Sequence, residues 1–328
     1  MSVSRLASLS RIGLAVVATA LFSGAAAAQS WPTKPVTIVQ GFPAGSGLDI
    51  IARIIQAPLE KALGTTLVFD YKAGAGGNLG SDFVAKAAPD GYTFLFGTAG
   101  THGINASLYK KLGFDVEADF TPIGPIVDVP NVLTVNPKAV DAKTVTEFIE
   151  ILKKQPGKLN YGSSGNGAST HLGFAMFNSV AGIDLVHIPY KGSPPAIQAM
   201  LNGETCCQFA QLQTVLGQHK AGTLRLIAVS TAKRVPLLPD IPTIGETLKG
   251  FEATTWYGML GPKGVDPTIV NKFNAAIKVV LEDKETIEKL AGIGNAVRYE
   301  TPEQFKATIK KDRELWAGVV KSTGATVD

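Results

Sequence analysis

Two adjacent serines and a nearby histidine are the residues whose spacing comes nearest to catalytic chemistry. Residues 162–165 read Gly-Ser-Ser-Gly, and His171 follows shortly afterwards. A serine on a sharp strand-to-helix turn can act as a nucleophile when a histidine takes its proton. The G-x-S-x-G pattern fails, however, because Asn166 stands where the second glycine is required. A secreted serine hydrolase that uses Ser163 or Ser164 with His171 remains an alternative interpretation.

Metal and redox chemistry have less support in the residue pattern. The histidines form no His-Glu-x-x-His pair, and the cysteines are adjacent rather than spaced as Cys-x-x-Cys. Adjacent cysteines cannot connect distant parts of the chain, so we expect packed or pocket-lining thiols. The sequence predicts no metal, no cofactor and no enzyme activity. The histidines and cysteines of the chain are His102, His171, His187, His219, Cys206 and Cys207.

Binding chemistry has better support, beginning with a glycine-rich loop at residues 40–49. A β-branched run before the loop predicts a buried strand, and apolar residues at helical spacing after it predict a helix that stops at Gly64. Ser46 with Asp49 three residues later resembles a capping box, and the glycines beside Ser46 let the backbone approach a ligand. The free N–H groups at such a helix start favour an anion.

A second loop of the same kind lies at residues 161–171. It follows a short predicted strand and precedes a predicted helix that ends at Gly182. A third polar strand end, at 97–103, is rich in small hydrogen-bonding residues. Ligands of α/β sheets bind outside the carboxyl ends of the strands. We therefore expect these loops to face a common ligand site.

The first residues have the pattern of a secretory signal peptide. Arg5 and Arg11 precede an apolar stretch at 12–22, and an A-x-A motif ends at Ala28. Cleavage after Ala28 removes two of the 31 basic residues and none of the 27 acidic ones, which lowers the net charge from +4 to +2. This balance argues against a nucleic-acid-binding surface. We expect an exported protein with no affinity for nucleic acid.

The rest of the chain is long enough to form two lobes. Strands and helices alternate along it, which predicts an α/β protein with mostly parallel sheets flanked by helices. An apolar, proline-punctuated stretch at 120–135 and a strand at 253–260 predict the crossings between the lobes. The last two predicted helices are expected to cover the sheet of the first lobe. The predicted boundaries are residues 29–127 plus 256–328 for lobe 1 and 128–255 for lobe 2.

Several short motifs together resemble the Bug family, the periplasmic solute receptors of tripartite tricarboxylate transporters. They are WPTKP at 31–35, GFPAGSGLD at 41–49, KAGAGGN at 72–78, APDGY at 88–92, SSGNG at 163–167, HIPYKG at 187–192 and LPDIPT at 238–243. The resemblance extends over essentially the whole mature chain. It implies a two-lobed periplasmic-binding-protein fold whose cleft closes on a small carboxylate without a metal or an arginine clamp.

The resemblance also implies which residues hold the carboxylate, partly through ordered water. In the family they belong to the first strand–helix loop, to the loop after the third strand and to the Ser-Ser-Gly loop. Carried over by position, the expected ligand-binding residues are Phe42, Pro43, Ala44, Gly45, Ser46, Gly47, Thr98, Thr101, His102, Ser163, Ser164, Asn166, Gly167, Ser169, Ala210 and Gln211.

Departures from the family pattern narrow the expected ligand. Leu48 replaces a threonine, and residues 209–211 read Phe-Ala-Gln where the family has an acidic strand end. Cys206 occupies the preceding aspartate position. Loss of a carboxylate there removes a partner for an amino group. We therefore expect a less polar or aromatic mono- or dicarboxylate rather than an amino acid.

The expected function is that of a monomeric periplasmic receptor. It would capture a di- or tricarboxylate or an aromatic carboxylate and deliver it to the membrane subunits of a tripartite tricarboxylate transporter. A receptor that signals to a membrane sensor is a further alternative, besides the secreted hydrolase.

Overall fold

The computed structural model describes residues 31–327, so the predicted signal peptide at 1–28 lies outside the described residues. Within 31–327, no helix combines the length and the apolar character needed to cross a membrane. The strands of this part are β1 (Val36–Gln40), β2 (Leu67–Tyr71), β3 (Thr93–Thr98), β4 (Phe120–Val129), β5 (Asn131–Val135), β6 (Asn160–Ser163), β7 (Val186–Pro189), β8 (Cys207–Gln211), β9 (Arg225–Val229), β10 (Thr255–Pro262) and β11 (Ala296–Val297).

Helices follow most of these strands, as the alternating pattern predicts. They are α1 (Gly47–Leu63), α2 (Asn78–Ala85), α3 (Asn105–Leu108), α4 (Val145–Lys153), α5 (Ser169–Ala181), α6 (Ser193–Asn202), α7 (Leu212–Lys220), α8 (Ile244–Thr247), α9 (Pro267–Glu282), α10 (Lys284–Ala291) and α11 (Pro302–Thr323). A single π-helical turn, Gly100–Ile104, precedes α3.

Two sheets form the two lobes. The first has the strand order β11-β4-β10-β3-β1-β2, and the second has the order β7-β6-β8-β5-β9. Helices flank both sheets, so the predicted two-lobed α/β fold is confirmed.

The prediction of mostly parallel sheets is wrong in one respect, because both sheets are mixed. Strand β1 pairs in parallel with β2 and β3, whereas β10 runs antiparallel to both β3 and β4. In the second sheet β5 is antiparallel to β8 and β9. Strands β5 and β10 each begin directly after a crossing between the lobes, so they run opposite to the strands beside them, and the short edge strand β11 is likewise antiparallel to β4.

Helix α1 shows how the sequence sets the bounds of these elements. Ser46 caps its first turn, and Gly64 ends it in the left-handed conformation with φ of 73°. Leu48, Ile51 and Ile55 recur on one face and are buried against the first sheet. The predicted helix start and stop are thus both observed.

Helix α11 differs from its predicted role. Phe305 and Ile309, in its first half, pack with Trp256 in the core of the first lobe. Trp316, in its second half, instead belongs to the core that includes Phe174 and Phe177 of the second lobe. The helix therefore packs against both lobes, because its apolar stripe continues beyond the edge of the first sheet.

Candidate functional site

A small cavity lies between the lobes, where the strands of the two sheets end. The space left inside it is about 10 Å³, close to what one water molecule requires. Three predicted loops meet there, together with β10 and the start of α6. The lining residues are Phe42, Ser46, Gly47, Leu48, Thr98, Ser164, Ala168, Ser169, Ser193, Gln211, Thr255 and Tyr257.

The first loop presents the start of α1 to this cavity. The Ser46 hydroxyl accepts a hydrogen bond from the Asp49 N–H at 3.4 Å, as a capping residue does. The expected return bond differs, because the Asp49 carboxylate accepts from the N–H of Gly45, at 2.8 Å. The N–H groups of Gly47 and Leu48 have no partner inside the helix at these positions. Since both residues line the cavity, these two donors are available to a ligand.

The Asp49 carboxylate lies behind the loop and is occupied by protein donors. Besides Gly45, it accepts from the Tyr71 hydroxyl at 2.6 Å and from Arg53 Nε at 2.9 Å. Burial alone would raise the pKa of Asp49, but the hydrogen bonds from Gly45, Tyr71 and Arg53 outweigh burial and lower it. Asp49 therefore shapes the loop as a fixed anion and does not line the cavity.

The loop after β3 contributes Thr98 and is braced from behind. The Thr98 hydroxyl accepts a hydrogen bond from the Thr101 N–H at 3.2 Å, and the Thr101 hydroxyl accepts one from the Thr98 N–H at 3.1 Å. His102 Nδ1 lies 2.8 Å from the Thr101 hydroxyl. Burial lowers the pKa of His102 to about 3, so the ring is neutral. Thr98 lines the cavity, while Thr101 and His102 lie in a second layer that holds the π-helical turn in place.

The two adjacent serines of the second loop have different roles. Ser164 lines the cavity, and its hydroxyl lies 2.9 Å from that of Thr170. Ser163 is fully buried, and its hydroxyl lies 2.6 Å from His187 Nε2. The serine–histidine contact therefore exists, but it joins Ser163 to His187 and not to His171. The Ser163 hydroxyl is enclosed by protein, so it cannot reach a substrate in this arrangement.

The two histidines beneath this loop are stacked. The rings of His171 and His187 are 3.8 Å apart and nearly parallel. Burial, with the neighbouring His187 as a smaller cause, lowers the pKa of His171 to about 3. Burial lowers the pKa of His187 to about 4. Both rings are neutral at pH 7, and His171 Nδ1 accepts from the Gly167 N–H at 3.2 Å. Their role in this structure is to support the loop.

Five residues that line the cavity were not among the expected site residues. They are Leu48, Ala168, Ser193, Thr255 and Tyr257. Ala168 precedes α5, and Ser193 opens α6, where its hydroxyl donates to Gln211 Oε1 at 2.9 Å. Thr255 and Tyr257 alternate on β10, so both face the cavity. The Thr255 hydroxyl is buried without a partner in residues 31–327. Burial raises the pKa of Tyr257, so its hydroxyl stays protonated and can donate.

The other expected site residues lie near the cavity rather than on it. Pro43 and Asn166 line a neighbouring recess of about 300 Å³, which shares Phe42 and Ser164 with the cavity. Ala44 and Gly45 are exposed, and Gly167 braces the second loop. Ala210 is packed in the core of the second lobe. The expected residues that do line the cavity are Phe42, Ser46, Gly47, Thr98, Ser164, Ser169 and Gln211.

The two cysteines lie away from the cavity. Both are buried free thiols, and their sulfur atoms are 3.2 Å apart. Cys207 begins β8, whereas Gln211 ends it at the cavity. The thiols therefore belong to the packed core.

Direct hydrogen bonds hold the two lobes together around the cavity. Gln213 of the second lobe donates its side-chain N–H to the Gly47 carbonyl at 3.2 Å. The Tyr109 hydroxyl of the first lobe donates to the Asn166 carbonyl at 2.9 Å. The lobes are therefore closed on each other in this conformation.

The cavity is electrically neutral but rich in donors. None of its lining side chains carries a charge at pH 7. Across residues 31–327, no group of three or more His, Cys, Asp or Glu side chains is placed to hold a metal ion. The donors are the first N–H groups of α1 and α5, one from each lobe, with hydroxyl and amide groups between them. This arrangement suits a small anion that is held by hydrogen bonds and helix dipoles.

Comparison with known proteins agrees with this geometry. Residues 51–325 match the family described as "Tripartite tricarboxylate transporter family receptor" (TctC). BugT of Bordetella pertussis is 33 % identical over 327 residues, which cover 99 % of this chain and 99 % of BugT.

Two solved structures are similar along nearly their whole length. An R. palustris protein with adipate is 34 % identical with a TM-score of 0.88, over 90 % of this chain and 100 % of that chain. MatC from Rhodopseudomonas palustris with bound malate is 30 % identical with a TM-score of 0.84, over 88 % of this chain and 100 % of that chain. The chain thus belongs to the receptors of the tripartite tricarboxylate transporter family, the solute-binding proteins among which the Bug proteins are found.

Proposed function

We propose that this receptor captures a small organic carboxylate between its lobes in the periplasm and delivers it to the membrane subunits of its transporter. One observation carries the proposal: the starts of α1 and α5, from opposite lobes, meet at one cavity lined by uncharged donors. The related proteins solved with adipate and malate support a carboxylate as the ligand class.

The energetics of such a site are sufficient without a lysine or an arginine. A micromolar ligand requires about 8 kcal/mol. Each helix dipole contributes up to about 2 kcal/mol in a partly buried site. Hydrogen bonds to a charged group add roughly 1.5–3 kcal/mol each. A few of the donors around the cavity therefore account for such an affinity.

The residues at the cavity favour an acid over an amino acid. An amino group needs a carboxylate partner, and the lining residues include none. The Gln211 side chain, at the end of β8, replaces the acidic strand end of the family pattern. Asp49 is already paired with Arg53 and Tyr71. We propose that the ligand is a mono-, di- or tricarboxylate, aromatic acids included.

We propose that lobe 1 consists of residues 29–127 plus 256–328 and that lobe 2 consists of residues 128–255. The chain passes between the sheets at Pro130, which separates β4 from β5, and returns just before β10. Because the space left in the cavity is about 10 Å³, a carboxylate can enter only when the lobes separate, and we propose that they then close around it with Gln213 again near Gly47. The expected ligand-binding residues are those that line the cavity, with Thr101 and His102 as the layer behind Thr98.

The remaining aspects of the proposal concern the mature protein. It acts as a monomer in the periplasm after cleavage behind Ala28, does not bind nucleic acid and does not consume its ligand. The buried state of Ser163 supports a binding role over the hydrolase alternative. Signalling to a membrane sensor would use the same cavity and is a second possible output of binding.

A panel of acids tests the ligand class directly. Thermal unfolding of the ligand-free mature protein is measured with adipate, malate, benzoate and aspartate. A ligand at 100 times its dissociation constant adds about 2.7 kcal/mol to the free energy of unfolding. We expect stabilisation by one of the carboxylates, no stabilisation by aspartate, and no change in the acid's NMR spectrum on prolonged incubation. No response to any carboxylate, or turnover of one, would overturn the proposal.

A variant that introduces a negative charge tests the site. Gln211→Glu keeps an acceptor for the Ser193 hydroxyl but places a negative charge at the cavity. We expect at least tenfold weaker binding of the carboxylate that stabilises the wild type. Gln218→Glu, on α7 and away from the cavity, is the matched control and should bind normally. Equal affinities of both variants would contradict the site assignment.

A further inference from the structure

The recess beside the cavity has room for the body of a ligand. The cavity itself leaves about 10 Å³, whereas the recess measures about 300 Å³. Phe42 and Ser164 line both spaces, so the recess begins where the cavity ends. A volume of this size lies at the lower end of the range for small-molecule sites. A ligand whose carboxylate is held at the cavity would extend its remaining atoms into the recess.

Both lobes contribute to the walls of the recess. The lining residues are Tyr109 and residues 41–43, 73–77, 164–166 and 189–192. The lobes are in close contact at two places along these walls. A β-carbon added at Gly192 would lie 2.6 Å from Pro43 Cγ, and one added at Gly76 would collide with the Asn166 carbonyl oxygen. Closure of the lobes therefore brings the two sets of lining residues around whatever lies between them.

Lys191 places a positive charge at the recess. Among the described residues that line the recess, Lys191 is the one that is charged at pH 7. Its side chain is exposed and forms no ion pair within residues 31–327. The ammonium group is therefore free to turn towards an anion.

The acidic residues near the recess do not line it. Asp70 precedes the segment 73–77 and is paired with Lys72 at 3.0 Å. Glu204 is near enough to Tyr190 to raise the pKa of that hydroxyl, although burial is the larger cause. The Glu204 carboxylate accepts a hydrogen bond from Asn202 at 3.3 Å. A ligand in the recess therefore meets a cation without an acid among the lining residues.

The backbone holds Lys191 close to the cavity. The N–H of the next residue, Gly192, donates to the Ser164 carbonyl at 3.2 Å, and the Tyr190 N–H donates to the Ser163 carbonyl at 3.1 Å. Ser164 itself lines the cavity. Lys191 thus lies between two residues that are bonded to the serine loop, and its side chain is long and flexible. An anionic group a few bonds away from the carboxylate at the cavity comes within its reach.

Asn166 supplies an open amide in the same recess. Its backbone carbonyl accepts from the Tyr109 hydroxyl, whereas its side-chain amide has no partner in the part of the chain that the structure describes. Asn166 is half-buried, and its side-chain nitrogen and oxygen retain accessible surface. The amide N–H groups can donate to a carboxylate.

From these contacts we propose that the receptor selects acids with two anionic groups, an inference that rests on the proposed function. One carboxylate lies at the helix starts around the cavity. The second lies in the recess, where the Lys191 ammonium group and the Asn166 amide recognise it. Lys191 is thus a specificity-determining residue that favours di- and tricarboxylates over monocarboxylates of the same size.

Matched pairs of acids test this preference in the wild-type protein. Succinate and butyrate, glutarate and pentanoate, adipate and hexanoate, and isophthalate and benzoate share a carbon skeleton or ring and differ in the second carboxylate. Affinities are measured by calorimetry at pH 7. We expect at least one diacid to bind at least fivefold more tightly than its matched monoacid. Monoacids that bind as tightly as their diacids in every pair would overturn the inference and leave the proposed function intact. Failure of these acids and of the panel named above would refute the proposed function itself.

Variants of Lys191 test the charge. Lys191→Gln should weaken the diacid that binds best roughly two- to fivefold, the effect expected of one exposed ionic contact, and leave its matched monoacid unchanged. Lys191→Arg keeps the charge and should retain the affinity. Lys249→Gln removes an exposed lysine elsewhere on the same lobe and is the matched control. Unchanged diacid affinity in Lys191→Gln, or equal weakening of diacid and monoacid, would refute the role of Lys191.

An isosteric change at Asn166 tests the recess independently. Asn166→Asp places a negative charge there and keeps the backbone bond from Tyr109. We expect at least tenfold weaker binding of the diacid and a much smaller loss for the monoacid, with thermal unfolding as the check on the fold. Asn271→Asp, an exposed position on α9, adds the same charge elsewhere and should leave both affinities unchanged. An equal loss for both acids in Asn166→Asp would contradict a second carboxylate in the recess.

Discussion

A single added methyl group at Gly47 tests whether lobe closure and ligand binding are one event. Gly47 is the first residue of α1 and lines the cavity. A β-carbon at this position would lie 2.8 Å from Gln213 Nε2, 3.2 Å from the Tyr257 hydroxyl oxygen and 3.3 Å from Gln211 Cβ. Gln211 and Gln213 belong to the opposite lobe, so Gly47→Ala places a wedge at the line of closure.

The size of the effect follows from which neighbours can move. The end of the Gln213 side chain can turn away, but it then loses its hydrogen bond to the Gly47 carbonyl, which costs about 0.5–1.5 kcal/mol. Gln211 Cβ is attached to the backbone of β8, and crowding there adds roughly 1–2 kcal/mol. Together they weaken ligand binding by about 1.5–3.5 kcal/mol, or roughly 10- to 400-fold. The ligand-free protein loses little, because alanine suits the first turn of a helix and the lobes can separate.

Isothermal titration with the carboxylate that stabilises the wild type measures this effect, and thermal unfolding checks the fold. Gly217→Ala is the matched control. Gly217 lies within α7, and no atom lies within 4 Å of an added β-carbon there. This control should stabilise its helix by about 0.5–1 kcal/mol and leave the affinity unchanged. Binding by Gly47→Ala within twofold of the wild type would refute the closed-cleft reasoning.

Three further predictions concern groups at and beneath the cavity. Thr255→Val removes a buried hydroxyl without a partner, so ligand-free Thr255→Val should be more stable by about 1 kcal/mol while its carboxylate affinity falls; a parallel loss of both would contradict this. The lowered pKa values of His102, His171 and His187 mean that the unfolded chain binds more protons below pH 6.5. Stability should therefore be nearly constant above pH 7 and fall as the pH decreases from 6.5 towards 4, by up to about 1.4 kcal/mol per pH unit and histidine; denaturation curves that coincide at pH 7 and 5 would exclude it. Ser163→Ala should reduce stability by about 1–2 kcal/mol through the contact with His187 and leave ligand affinity within twofold; strongly weakened binding with unchanged stability would place Ser163 in the site after all.

Local sequence signals predicted the parts of the site that are determined within one loop. Ser46, the glycines beside it and the apolar stripe of α1 specify a helix start at a strand end, and that start lines the cavity. The same reasoning predicted a helix after the second loop, and Ser169 is the first residue of that helix, α5. These features depend on capping and periodicity, which act over a few residues.

Other features depend on contacts that no local pattern encodes. Thr255 and Tyr257 reach the cavity because β10 returns from the second lobe and inserts between β3 and β4. Adjacent residues of a strand face opposite sides, so Ser163 and Ser164 could not be assigned to core and cavity without the position of His187. The antiparallel direction of β5 and β10 likewise follows from the crossings and not from their composition.

The packing of α11 against both lobes has a consequence for how the chain folds. The first sheet requires β10, which lies far from β1 and β3 in the sequence, and the cores of both lobes require residues of α11. Such long-range pairing is slow, since the loops must close before the contacts that stabilise them exist. Neither lobe can complete its core until the last helix has been synthesised. Completion of both cores therefore waits for the end of the chain, so we expect the polypeptide to lack stable tertiary packing during the interval in which an exported protein must cross a membrane.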